Sequence, residues 1–400
     1  MKAVILAAGE GSRLKPFTVT RPKVMIPVGD KPILEYVVNA LQESGIIDII
    51  LVVGYKREKI MDYFGDGHKW GVNIIYVEQF QQLGTAHALR QVSHMISDRF
   101  LVINGDTIID SSAIKEIIRV SSGDAAMLTV TVDRAQAYGV VKTQNNLVKA
   151  ILEKPKGEEI SKVVNAGVYS FSPIIFNFLE AMEISERGEY EITDALRIML
   201  NEGYSIKSVH TNALWMDALF LWNLLDMNVA TLAKWKADIR GKVEEGAHII
   251  GPVTVGENSV IMAGSYIVGP VAIGDNCFVG PNAVILPSTS IGSNCTVEPF
   301  TRISNSILMN NVKVSSFNYI SNSILGEGTM TGPALIAESG DTKVDVEEMF
   351  MKANMGAAIG DNTEMAGRVL IKPGKMVGVR CKIGEGVIIR ENMPDNTRAL

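Results

Sequence analysis

From Ile249 onward an aliphatic residue returns at every sixth position: Ile249, Val255, Ile261, Ile267, Ile273, Val279, Ile285, Ile291, Val297 and Ile303. A helix repeats its apolar face every 3.6 residues and a strand every 2, and neither alone produces one aliphatic position in six. A short fixed period marks a solenoid, in which each repeat buries its apolar residue only by stacking on its neighbours. Gly256-Glu257-Asn258, Gly274-Asp275-Asn276 and Gly292-Ser293-Asn294 follow three of these aliphatics, and such residues suit tight corners. The phase lapses after Ile303 and returns at Ile359, Met365, Ile371, Val377, Ile383 and Ile389. Ser304 to Ala358 must therefore hold an irregular coil and an extruded loop, expected around Glu338 to Lys352.

The N-terminal half obeys another rule. Lys2 to Ala8 is an apolar run ended at once by Gly9, Glu10, Gly11 and Ser12, so it reads as a buried strand entering a tight loop. Gly9 and Gly11 lack a Cβ and let backbone N–H groups approach an anion closely, while Arg13 adds a planar fixed charge. Lys23 follows a turn punctuated by Pro16, Pro22 and Pro27. Arg13 and Leu14 stand where a dinucleotide fingerprint needs its third Gly, and no Gly-Lys-Ser/Thr follows as in a P-loop. Pro32 to Ser44 carries a helical stripe closed by Gly45, and Asp48–Gly54, Val72–Glu78 and Arg99–Asn104 read as further buried strands. This alternation predicts a mostly parallel sheet that binds ligands at the carboxyl ends of its strands, where Gly9, Gln79 and Asp106 fall.

Taken whole, LAAGEGSRLKPFTVTRPKVMIPVGDKPILEY resembles the signature of the sugar-1-phosphate nucleotidylyltransferases. The resemblance implies nucleotide contacts from Leu6, Ala8, Gly9, Gly11, Gln79, Gly84 and Thr85, and catalytic roles for Arg13, Lys23 and Asp106. In the family an aspartate in the INGDT motif holds Mg²⁺. Asp217 in Trp215-Met216-Asp217 is the second expected ligand, although the family usually continues with Gly or Thr and then Pro, and this chain has Ala218 and Leu219. Gly139, Glu153, Lys154 and Asn165 fall in motifs that hold the sugar phosphate in relatives. A Gln with an LGT motif marks relatives that use UTP or dTTP, and the second substrate is expected to be a hexose 1-phosphate. His87 is assigned to packing or surface, with no chemistry.

Hexapeptide-repeat proteins, which the second half resembles, form left-handed parallel β-helices with three hexads to a triangular coil. The expected fold is thus an α/β Rossmann-like nucleotidyltransferase domain (1–236), a linker (237–248), a left-handed β-helix (249–391) and a tail (392–400). This domain order resembles bifunctional enzymes that also acetylate an amino-sugar 1-phosphate. Those relatives carry a His base three residues before the Tyr of Ser315-Ser316-Phe317-Asn318-Tyr319, where this chain has Ser316. An Asn of the next motif corresponds to Glu338, and a basic run to Lys352-Ala353-Asn354. A hydroxyl does not replace imidazole as a base near neutral pH, so nucleotidyl transfer is the primary expectation and bifunctionality the alternative. A third alternative is a non-catalytic regulatory relative, but such proteins tend to lose the phosphate loop, which is intact here.

The net charge of −6, with Lys+Arg 38 against Asp+Glu 44 intermixed, argues against a nucleic-acid partner. No apolar span approaches membrane length, so a cytoplasmic protein is expected. Cys277, Cys295 and Cys381 lack metal-ligand spacing. Hexapeptide β-helices in this family pack about a threefold axis, which implies a homotrimer.

Overall fold

The computed structural model describes residues 1–120, 123–153, 161–185, 188–346 and 349–400. It divides into two compact units, one of Met1–Glu10 with Ile33–Asp217 and one of Gly11–Pro32 with Ala218–Leu400.

The first unit is built on a nine-stranded sheet. Its centre is β1 (Ala3–Ala7), five apolar residues buried throughout because neighbours cover both faces. β2 (Asp48–Val53) and β3 (Asn73–Glu78) lie to one side in parallel, and β4 (Phe100–Asn104) lies parallel on the other. Between β1 and β2 runs α1 (Ile33–Glu43), which buries Ile33, Leu34, Val37, Val38 and Leu41 as the stripe predicts. After β4 come a short β5 (Thr107–Ile109), β6 (Ala125–Thr131), β7 (Gly139–Gln144), β8 (Leu147–Glu153), β9 (Val163–Phe171), β10 (Ile206–His210) and β11 (Trp215–Asp217). The order across the sheet is β3-β2-β1-β4-β9-β6-β10-β8-β7.

The expected mostly parallel sheet holds only for the first half. β9 runs antiparallel to both β4 and β6, and β7 and β8 form a hairpin. The hairpin turns at Asn145-Asn146, whose φ values of 52° and 58° make the two-residue turn that matches strand twist. Asn tolerates this conformation, so the chain reverses where a helical crossover would otherwise be needed.

In the second unit three parallel sheets of eight, nine and eight strands stack coil upon coil. Each coil is normally eighteen residues, as Val253 faces Val271 and Val271 faces Thr289. The hexad aliphatics from Val255 to Ile303 all point inward and are buried. The expected linker is already coil, because Asp238 pairs with Thr254 and Lys242 with Val260. The expected tail also belongs to the solenoid, since Arg398 pairs with Lys382. The helix Leu221–Leu232 precedes the solenoid in the chain.

The lapse in phase has a simple origin. Ile303-Ser304-Asn305-Ser306-Ile307-Leu308 recurs as Ile320-Ser321-Asn322-Ser323-Ile324-Leu325, and each copy shortens one corner by a residue. Register therefore steps by seventeen, with Ile291 against Leu308, Ile303 against Ile320 and Leu308 against Leu325. Asn305 and Asn322 turn these corners with positive φ, and their side chains stack, Asn305 Nδ2 donating to Asn322 Oδ1 over 2.9 Å. The extruded loop is an antiparallel hairpin of Gly340–Val346 and Met349–Met355, after which Ile359 resumes the stack directly on Leu325. Among the described residues no helix is long and apolar enough to cross a membrane.

Candidate active site

Sheet register brings the expected residues of the first unit to one edge. Ala7 lies against Val53, Val53 against Glu78, and Leu6 against Asn104, so all four parallel strands end at one level. Gly9, Gln79 and Asp106 follow within two residues. A Cβ built on Gly9 meets nothing within 4 Å, which leaves room over that backbone for a ligand. Leu6 and Ala8 are buried beneath it, and the Ala8 carbonyl accepts from Tyr55 N at 3.0 Å.

Two carboxylates come together through a short ladder. β11 pairs antiparallel with β5, setting Asp217 opposite Thr107, the residue after Asp106. Burial, then Asp217, then Asp106 push the Tyr138 phenol well above its ordinary pKa, so both carboxylates bear on this one hydroxyl and it stays neutral. Tyr138 packs edge-on to Trp215 at 5.8 Å, and the Trp215 indole donates to Ala166 O at 2.9 Å. Among the described residues no three acidic, His or Cys side chains form a metal cluster. A pair of adjacent carboxylates nevertheless fits Mg²⁺, which takes one or two from a protein and completes its shell with substrate oxygens and water.

Gly139, Glu153 and Asn165 also converge. Gly139 faces Glu153 across the hairpin, and a Cβ built there falls 2.8 Å from Glu153 Oε2 and 3.7 Å from Asn165 Cβ. The register of β9 slips between Asn165 and Tyr169, where Asn165 donates to Tyr169 Oη at 2.6 Å and accepts from Gly167 N at 3.0 Å. Asn165 is thereby locked from both ends of its amide. Lys154 lies outside the described residues.

The third group surrounds Gln79. Its Nε2 lies 3.2 Å from Gly84 O and 2.9 Å from His87 Nδ1, so both amide hydrogens have acceptors and Oε1 is left as the acceptor. Gly84 sits at φ 104° and ψ 176°, a conformation essentially reserved for glycine. Its loop is zipped to the segment before the helix Ile192–Asn201: Tyr190 N donates to Leu83 O at 2.7 Å and Ala86 N to Tyr190 O at 2.9 Å. Thr85 Oγ1 accepts from Ile192 N at 3.1 Å, so this side chain fixes the loop. His87, assigned no chemistry from sequence, orients Gln79. Burial first, and Arg90 second, lower its pKa, which keeps the ring neutral and able to accept. It also lines a cavity of about 470 Å³ with Arg90, Glu180 and Tyr190. The Gln79-x₇-His87 spacing was visible in sequence, but only the loop's return past Gly84 joins the two.

Gly11, Arg13 and Lys23 belong to the other unit. There a Cβ on Gly11, at φ +77°, would lie 2.6 Å from Lys23 Cβ, so the two ends of the loop touch only because residue 11 has no side chain. Thr18 Oγ1 donates to Gly11 O at 3.1 Å and Leu14 N to the same oxygen at 3.0 Å. Arg13 sits in the single 3₁₀ turn Ser12–Leu14 that this oxygen anchors.

Residues 2–233 match the pattern of the Nucleotidyl transferase family, residues 267–348 that of the GMPPB C-terminal domain, and residues 246–268 the hexapeptide repeat of succinyl-transferase. The chain is 41% identical to the "Bifunctional protein GlmU" of Methanococcus maripaludis (strain C7), over 99% of this chain and 96% of that one. It is 33% identical to the "Bifunctional sugar-1-phosphate nucleotidylyltransferase/acetyltransferase" of Sulfurisphaera tokodaii, over 98% of each. Among solved structures, a putative glucose-1-phosphate thymidylyltransferase from Bacillus anthracis superposes with a TM-score of 0.53 at 31% identity, covering 57% of this chain and 94% of that chain.

Proposed function

Because the chain belongs to the nucleotidyl transferase family and carries the hexapeptide-repeat half of its bifunctional relatives, we propose that it joins UTP or dTTP to a hexose 1-phosphate, releasing pyrophosphate. The sugars favoured are glucose and N-acetylglucosamine 1-phosphates. The observation that carries this reading is the β5–β11 ladder, which sets Asp217 beside Asp106 at the carboxyl edge of the sheet. Mg²⁺ bound by these two carboxylates would neutralise phosphate oxygens and polarise the α-phosphorus. A sugar phosphate oxygen attacks that phosphorus, and the bond to the pyrophosphate oxygen breaks, so no covalent enzyme intermediate is required. Both substrates are anions, and Arg13, Lys23 and loop N–H groups serve to neutralise and align them.

The residues on Gln79 favour a pyrimidine with a donor at N3. With Nε2 engaged by Gly84 O and His87, Oε1 suits the N3–H of uracil or thymine and repels the N3 lone pair of cytosine. Gly139, Glu153 and Asn165 supply a backbone N–H and side-chain acceptors suited to sugar hydroxyls. A matrix of nucleoside triphosphates against sugar 1-phosphates, read by pyrophosphate release, is the test; no release in any pair would sink the proposal.

Acetyl transfer is the second reading, favoured by the names of the relatives. Ser316 counts against it: its N–H and hydroxyl both lie 3.0 Å from Glu298 Oε2, an arrangement that holds a corner and offers no base for an amine. Acetyl-CoA consumption with glucosamine 1-phosphate would reverse this assignment. The solenoid's assembly role, a homotrimer, is checked by light scattering of the full chain, and a monomer mass at micromolar concentration would reject it.

A further inference from the structure

The segment Gly11–Pro32, which carries Arg13 and Lys23, is grouped with the solenoid, and specific bonds hold it there. Arg21 ion-pairs with Asp361, a residue only 2% exposed, and also reaches Glu327 at 3.2 Å. Thr20 Oγ1 donates to the same Asp361 Oδ2 at 2.6 Å. A second tie lies eight residues on, where Gly29 N donates to Asn228 Oδ1 at 2.8 Å and Asn228 Nδ2 donates to Ser288 O, again at 2.8 Å. Asn228 is fully buried on the helix Leu221–Leu232.

The solenoid's own needs explain only half of Asp361. At equivalent corners, Asp275 Oδ1 accepts from Glu257 N and Asp395 Oδ1 from Val379 N. Asp361 Oδ1 does the same for Glu327 N at 2.9 Å. The other oxygen is the one that takes Thr20 and Arg21. Burying a carboxylate this deeply is costly unless a partner charge and hydrogen bonds accompany it, and here the partner is contributed by the loop. Two residues before Thr20, Thr18 clasps Gly11 O, and two after Arg21 comes Lys23, against which Gly11 is packed. A shift at residues 20–21 is thus passed directly to both ends of the phosphate loop.

We infer that Asp361, through Thr20 and Arg21, is a positioning residue for nucleotidyl transfer: the β-helix holds the phosphate loop in its working conformation. This rests on the nucleotidyl-transfer reading above. It gives the solenoid a role in catalysis apart from acetylation or assembly.

The test is made on the full chain. Asp361→Asn keeps Oδ1 for the Glu327 N–H but removes the charge and turns an NH₂ toward Arg21. Its kcat for pyrophosphate release should fall roughly ten- to a hundredfold, with KM for the sugar phosphate unchanged, because loss of alignment acts on the transition state. Amide exchange in peptides covering 11–32 should quicken while solenoid peptides keep their protection. Thr20→Val, which leaves the solenoid untouched, should show the same kcat-only pattern at smaller size and decides the matter if Asp361→Asn is not recovered folded. Arg21→Lys should restore part of the rate lost in Arg21→Met. Wild-type kcat in the folded variants, or lost melting temperature with kcat per folded molecule intact, would overturn the positioning role. A wild-type chain that releases no pyrophosphate counts against the function itself, and loop exchange still reports whether the clamp exists.

Discussion

Gly84 offers the sharpest quantitative test of the loop proposed to read the nucleotide. A Cβ built on it falls 2.4 Å from Tyr190 O, 2.9 Å from Tyr190 N and 3.0 Å from Tyr190 C, all backbone atoms that cannot rotate away. In Gly84→Ala the side chain also faces φ 104° with ψ 176°, which costs about 1–3 kcal/mol in itself. Relief of the overlap breaks the two bonds between Leu83–Ala86 and Tyr190, roughly 0.5–1.5 kcal/mol each. The sum, about 2–6 kcal/mol, is a large share of a typical domain's stability. The loop can escape part of it by moving off Tyr190, but then Gln79 loses Gly84 O. The substitution should therefore lower the melting temperature and raise KM for the nucleotide about tenfold or more, tenfold being about 1.4 kcal/mol. Gly45→Ala is the control, because Gly45 has φ +82° with nothing within 4 Å of its Cβ, so only about 1–2 kcal/mol of backbone strain is expected and no kinetic change. Equal melting temperatures for the two variants, with nucleotide KM unmoved, would refute the close-approach argument.

Asp106→Asn should abolish turnover without altering the far-UV spectrum, and near-normal rates at saturating Mg²⁺ would remove Asp106 from the metal site. Arg13→Lys should lose roughly tenfold or more in kcat/KM, since an ammonium cannot bridge two phosphate oxygens as a guanidinium does; wild-type kinetics would reduce Arg13 to a surface charge. His87 has a folded pKa below its unfolded value, so its contribution to stability is present above about pH 6.5 and lost as pH falls through the lowered pKa. Over that window the protonated ring ceases to accept from Gln79, and nucleotide KM should rise in wild type but not in His87→Asn; parallel pH profiles would dismiss the contact.

The hexad period carried the solenoid and its buried aliphatics into view because each repeat is a local rule applied many times. What it concealed were departures of one residue. A corner shortened at Ser304-Asn305-Ser306 shifts every later aliphatic out of a period-six count, so a regular coil reads as an irregular one. The repeated ISNSIL string held the correction, but it has a period of seventeen and escapes a search for six. The ends of the solenoid were missed for another reason. Lys242–Val243 and Arg398–Ala399 have neighbours on one side only, and outer coils need less apolar character to pair. In the first unit the β7–β8 hairpin turns on Asn145-Asn146, a two-residue signal much shorter than the helix and strand patterns around it.

Site residues divide by how far their partners lie along the chain. Gly139 and Glu153 meet through a hairpin, and Gly84 and Gln79 through a short loop, so motif order alone foretold their grouping. Asp106 and Asp217 are more than a hundred residues apart, and the β5–β11 ladder is what joins their segments. Arg21 is different, for in the signature string it stands as one more cation between Thr20 and Pro22, and Asp361 reads as a generic corner aspartate. Neither has any local peculiarity, and their pairing depends on where an entire solenoid is seated against its own N-terminal segment. A buried ion pair of this kind costs desolvation on both sides, so by physical chemistry alone an apolar pair would serve stability as well. Its charges are better explained by direction than by strength: one carboxylate oxygen that accepts from both Thr20 and Arg21 restricts the placement of the backbone between Gly11 and Lys23 more tightly than apolar packing would.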